Sequence, residues 1–81
     1  MTPIDPQAVD VLRWADETAA MLYDFAAVPR LDAPGEWSAW AASVIGLPAI
    51  AAFQPPDPVM FADWRAWAAR FNEAMTSRST A

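Results

Sequence analysis

The groups able to do chemistry in this 81-residue chain are ten carboxylates, five arginines, one tyrosine and a few hydroxyls. Histidine, cysteine and lysine are all absent. Their absence removes the usual general bases, nucleophiles and transition-metal ligands. Among the carboxylates, Asp16-Glu17 is the only adjacent pair, and neighbours on a helix diverge by about 100°, so the two do not converge on one site. Two glycines, Gly35 and Gly46, cannot build a glycine-rich phosphate loop. The residues therefore predict a non-enzyme: no catalytic, metal or cofactor-binding residue, and no small-molecule substrate.

Charge narrows the partners. The formal net charge is −5, against the basic footprint that phosphate neutralisation needs, so direct nucleic-acid binding is not expected. The acid is concentrated early. Residues 1–28 hold Asp5, Asp10, Asp16, Glu17 and Asp24 against Arg13, whereas residues 59–81 hold Asp63 and Glu73 against Arg65, Arg70 and Arg78. Opposite ends of the chain can attract each other, within one molecule or between copies. The start of the chain has no basic stretch followed by an apolar one, so no signal peptide is expected.

The positions of proline, glycine and apolar residues predict an all-α chain of three short helices joined by Pro-rich connections. Asp5-Pro6 pairs a capping side chain with a residue suited to the first helical position. Val9, Leu12, Ala15, Ala19, Leu22 and Ala26 then recur at helical spacing, with Val11, Trp14, Met21 and Phe25 beside them, which predicts a helix over about 6–27. A second helix is expected over about 36–45, stopped by Gly46-Leu47-Pro48 with the glycine in the left-handed conformation. Residues 49–53 suit one short turn. Asp57-Pro58 repeats the opening device, and Met60, Phe61, Trp64, Trp67, Ala68, Phe71 and Met75 predict a third helix over about 58–75. Residues 1–75 then form a single small domain and 76–81 a flexible C-terminal tail.

A regularity runs through these segments. Glu36-Trp37-Ser38-Ala39-Trp40-Ala41-Ala42 matches Asp63-Trp64-Arg65-Ala66-Trp67-Ala68-Ala69, 27 residues on, and Asp10 to Ala15 shares the acid and the Trp-Ala pair. Each full copy puts an acid at the positive end of its helix and two rings, three apart, on one face. Residues 37–56 carry no charge, a length able to span a bilayer. Gly46, Pro48 and Pro55-Pro56 interrupt it, however, and would strand backbone groups in lipid. A membrane span is not expected.

What remains is aromatic surface. Five Trp, four Phe and one Tyr are a heavy load for a chain too short to bury more than about 60–65% of its surface. Without disulfides or metal, association is the stabilising device left. Phe61, Trp64, Ala68, Phe71 and Met75 form a seam alternating three and four apart, suited to packing against copies of the chain or into a partner's groove, and equally to packing on the chain's own first two helices. Arg65 and Arg70, beside Trp64 and Trp67, fit either solvated helix charges or cation–π partners and interface anchors. The expected interface is Trp37, Trp40, Phe61, Trp64, Trp67, Phe71 and Met75, with a protein partner or a homo-oligomer as occupant.

The stretch Phe61-Ala62-Asp63-Trp64-Arg65-Ala66-Trp67-Ala68-Ala69-Arg70-Phe71 resembles short Trp-rich amphipathic helices in small structural or assembly proteins of tailed bacteriophages. The Ala-, Arg- and Trp-rich, Lys-free composition is similar to that of phages of high-GC hosts. The resemblance implies a minor, multi-copy component of a virus particle wedged against larger proteins, and so a location in the cytoplasm or within an assembled particle. It brings no functional residue with it. The leading expectation is thus a non-catalytic structural or assembly subunit. The alternative is a small acidic inhibitor that occupies a basic site on a partner, with a small membrane protein third.

Overall fold

The computed structural model describes residues 4–24 and 26–79, with side chains as far as Thr76. Helix α1 spans Val11–Leu22, α2 Trp37–Ile45, α3 Pro48–Ala51 and α4 Trp64–Ser79, with one-turn 3₁₀ segments at Pro34–Glu36 and Pro58–Met60. There is no strand among the described residues, and the all-α class expected from periodicity is what the chain adopts. The Cα radius of gyration is 11.4 Å, against about 12 Å for a self-contained domain of this length.

α1 starts where an acid side chain accepts a free amide, whereas Glu36 before α2 makes no such bond. Asp10 caps α1, its carboxylate taking the Arg13 N–H at 2.8 Å, and the Trp14 amide donates to the Asp10 carbonyl at 2.9 Å. The expected start at residue 6 is therefore corrected to 11. Asp5-Pro6 makes only a turn, in which Asp5 Oδ1 accepts from the Gln7 amide at 2.9 Å and its carbonyl from the Ala8 amide at 3.1 Å. Competition from Asp10 restarts the chain. The far end is corrected too. α1 stops at Leu22, and the chain leaves its axis to bury Ala26 and Leu31. Phe25 and residues 1–3, which the sequence reading included, lie outside the described residues.

The helix expected over 36–45 forms at Trp37–Ile45. Its stop differs from expectation: Gly46 is right-handed, with φ −79° and ψ −13°. Pro48 does the work instead. It holds Leu47 extended at φ −70° and ψ 132°, the conformation proline forces on its predecessor, and it begins α3 as first residue. Ala33 before Pro34 and Asp57 before Pro58 are extended for the same reason. The left-handed residue is Gln54, at φ 54°.

The helix expected over 58–75 is displaced. Pro58–Met60 closes one 3₁₀ turn, Phe61 is extended at φ −124° and ψ 135°, and α4 begins at Trp64 with the Trp67 amide donating to the Asp63 carbonyl at 3.2 Å. Phe61 thus leaves the seam it was assigned to. At the other end α4 runs through Thr76 to Ser79, into the expected tail. Those residues contain no Gly or Pro, so nothing stops a helix already running. Residues 80 and 81 lie outside the described residues.

The core comprises Val11, Trp14, Ala15 and Leu22 of α1, Trp40, Ala41 and Val44 of α2, Ile50 of α3, and Trp67, Ala68, Phe71 and Met75 of α4, closed by Ala26 and Leu31. α1 thus faces inward along 11, 14, 15, 18 and 22. Because α1 depends on one cap, Asp10→Ala is expected to destabilise the chain by about 1 kcal/mol, lowering Tm by about 4–8 °C, with Asp10→Asn near neutral. Thermal unfolding followed by circular dichroism measures both.

Candidate functional site

Trp14, Trp40 and Trp67 sit at the fifth position counted from the acids Asp10, Glu36 and Asp63. Their ring centroids are 5.9 Å (14–40), 5.7 Å (14–67) and 6.2 Å (40–67) apart, each pair edge-to-face at 81–82°. That is the arrangement the ring quadrupole favours. Each indole also carries an N–H into the core, where an unpaired donor costs about 1–3 kcal/mol. Trp14 Nε1 donates to the Ile4 carbonyl at 3.0 Å, Trp40 Nε1 to Pro29 at 2.7 Å and Trp67 Nε1 to Pro56 at 2.9 Å. Asn72 Nδ2 donates to the same Ile4 carbonyl at 2.8 Å, tying the start of the chain to α4.

This closed cluster decides where the expected interface falls. Trp40, Trp67, Phe71 and Met75 are buried in the chain's own core, with Phe71 at 0% and Trp67 at 1% exposure. Those four are corrected from interface to core, because the rings that sequence spacing lined up are consumed by one another. Trp37, Phe61 and Trp64 are half-buried and pack against the cluster. Trp37 lies 6.3 Å from Trp67, and Trp64 lies 6.1 Å from Trp14. The Arg65 guanidinium covers the Trp64 ring at 4.8 Å. Arg70 does not reach Trp67 and pairs with Glu73 at 3.3 Å.

The large apolar side chains facing solvent are others: Tyr23 at 80% exposure, Val59 at 78% and Met60 at 79%. Val59 and Met60 stand on a rigid corner. Asp57 Oδ1 accepts from the Val59 amide, the Asp57 carbonyl from Met60 and the Pro58 carbonyl from Phe61, all at 3.1 Å. Upstream, the Pro56 carbonyl is held by Trp67; Pro58 is buried and Phe61 is seated on the core. The exposed carboxylates Asp57 and Asp63 flank the pair. Sequence reading missed this corner because Met60 fitted the helical stripe of the expected third helix. The detectable signal was an apolar Val-Met pair immediately after an Asp-Pro turn.

Two concavities among the described residues are open to solvent. One of about 430 Å³ is lined by Gln54, Pro56, Arg70, Glu73 and Ala74; another, of about 220 Å³, lies beside Arg30, Asp32 and Trp40. Asp16 is exposed, and Glu17 pairs with Arg13 at 3.3 Å on the surface. Among the described residues no group of three or more acids could hold a metal ion, and no helix is long and apolar enough to cross a membrane. The uncharged run 37–56 is divided between α2 and α3. Comparison with protein-family models, curated proteins and solved structures finds no match to this chain.

Core and corner separate experimentally. In the isolated chain Phe71→Ala is expected to cost about 3–5 kcal/mol, enough to unfold most of it, whereas Met60→Ala changes stability by less than about 0.5 kcal/mol. Urea midpoints read both values. A Phe71 that served a partner rather than the core would leave the isolated chain's midpoint in place.

Proposed function

We propose that this chain is a non-catalytic structural or assembly subunit that docks onto another protein through the Val59–Met60 corner. The observation that carries the reading is the contrast between interior and corner. The chain folds Trp14, Trp40, Trp67 and Phe71 inward, yet holds two adjacent apolar side chains largely in water on hydrogen-bonded backbone. A rigid apolar pair loses little conformational entropy on docking, which favours its use as an anchor, and methionine adapts to irregular sockets. Asp57 and Asp63 beside it suit a basic rim around that socket. They disfavour two copies meeting corner to corner, where like charges would face each other. The resemblance of residues 61–71 to helices of phage assembly proteins fits the same role, as a minor component of a virus particle.

The acidic-inhibitor reading places the contact on α1 and its flanks instead. Asp10 is engaged in capping, Asp5 in its turn and Glu17 with Arg13, which leaves exposed Asp16 and Asp24 for a partner. Salt separates the two readings. An electrostatic contact weakens steeply between low and moderate salt, whereas an apolar anchor persists.

A photoreactive side chain at position 60, in cells producing the protein, tests the proposal. One discrete cross-linked partner is expected, stable to moderate salt and lost when Val59 becomes Gln, with no such product from position 8. Identical products from both positions, or none from position 60, would contradict the docking role.

A further inference from the structure

Three parts of the chain repeat one construction. Ile4, Pro29 and Pro56 offer the carbonyls that accept the indole protons, 10, 11 and 11 residues before the tryptophans. Two residues after each carbonyl comes a buried apolar side chain: Pro6, Leu31 and Pro58. The acids Asp10, Glu36 and Asp63 precede the helices, and Trp14, Trp40 and Trp67 follow four residues on. Next to each Trp is a fully buried alanine, Ala15, Ala41 or Ala68, and three residues further is a residue at 0% exposure: Thr18, Val44 or Phe71.

The contacts between these parts run in one direction. The ring just after the acid in the third part, Trp64, packs on Trp14 of the first, and its counterpart in the second, Trp37, packs on Trp67 of the third. In the first part the counterpart position holds Val11, which is buried in the same core as Trp40 of the second.

We infer that the chain is a single-chain pseudo-trimer: three copies of one unit of about 26 residues, arranged around an approximate three-fold axis through the Trp14–Trp40–Trp67 triangle. The copies then act as internal controls for one another. The Asp-Pro turn of the third unit repeats the two Asp-centred bonds of the first and adds one more, from the Phe61 amide to the Pro58 carbonyl. Asp5 accepts from the Gln7 and Ala8 amides at 2.9 and 3.1 Å; Asp57 accepts from Val59 and Met60 at 3.1 and 3.1 Å. The first unit fills this turn with exposed Gln7 and Ala8. The scaffold therefore does not require an apolar pair there, and Val59–Met60 is a departure made for something outside the fold. This conclusion stands independently of which partner the corner meets. Thr18 is the opposite case, a hydroxyl with no hydrogen-bond partner among the described residues, at the position where the second unit has Val44.

Exchanging residues between units tests the inference. Placing the first unit's pair in the third (Val59→Gln with Met60→Ala) is expected to leave Tm within about 2 °C of the parent. Placing the second unit's valine in the first (Thr18→Val) is expected to raise Tm by about 3–8 °C by removing an unsatisfied buried group. Trp14→Phe, Trp40→Phe and Trp67→Phe should lower Tm by similar amounts, about 5–15 °C each. If all three are too unstable to compare, the first two exchanges, which keep the core intact, decide the matter. A large Tm loss in the Gln-Ala exchange, a destabilising Thr18→Val, or one tryptophan dominating the other two would overturn the pseudo-trimer.

Discussion

A tryptophan ring cannot be buried without its N–H, and that constraint organises this molecule. Three indoles meet in the core, and each finds its acceptor on the chain itself. An unpaired indole costs about 1–3 kcal/mol, and three would approach the net stability of a typical domain, about 5–15 kcal/mol. The solution is the same each time: a backbone carbonyl from the connection preceding the helix. At two of the three places it belongs to a proline, whose fixed φ holds the carbonyl in place at little entropic cost. The Pro-rich connections are therefore structural members. They carry the acceptors that make the aromatic interior affordable.

From this follows the division between inside and outside. With the rings paired to one another and to the backbone, the chain hides most of its aromatic surface unaided. Association is no longer needed to cover Trp40, Trp67, Phe71 or Met75. What stays outside is small and localised, and the Val59–Met60 corner is held by the same tryptophan–carbonyl bond that secures the third unit. The corner's position is thus coupled to the core by one hydrogen bond and one capped turn.

Much of this was legible in the chain. The all-α class, α2 and the break at Leu47-Pro48 follow from periodicity and proline, and the repeated acid-Trp-x-Ala-Trp-Ala-Ala pattern marks two of the three units. The third was visible only as the Asp10–Ala15 echo, since Val11 stands where the others have a ring. What periodicity could not reveal was tertiary. Asp5-Pro6 and Asp57-Pro58 look like helix starts, yet each closes one turn and the helix begins a few residues later, after Asp10, whose carboxylate caps α1, and after Asp63, whose carbonyl accepts from the Trp67 amide of α4. The interface was misplaced for a related reason. Rings three and four apart on a helix face inward or outward with equal ease by pattern alone, and only the long-range indole–carbonyl bonds decide which.

The most direct measurement is hydrogen exchange of the five indole protons in the isolated, monomeric chain, read by nuclear magnetic resonance with labelled tryptophan. Trp14, Trp40 and Trp67 should exchange slowly and together, at the rate of global opening, with the half-buried Trp37 and Trp64 well ahead of them. Fast exchange at any of the first three, while the helix amides of α1 and α4 stay protected, would show that the fold does not rest on those bonds.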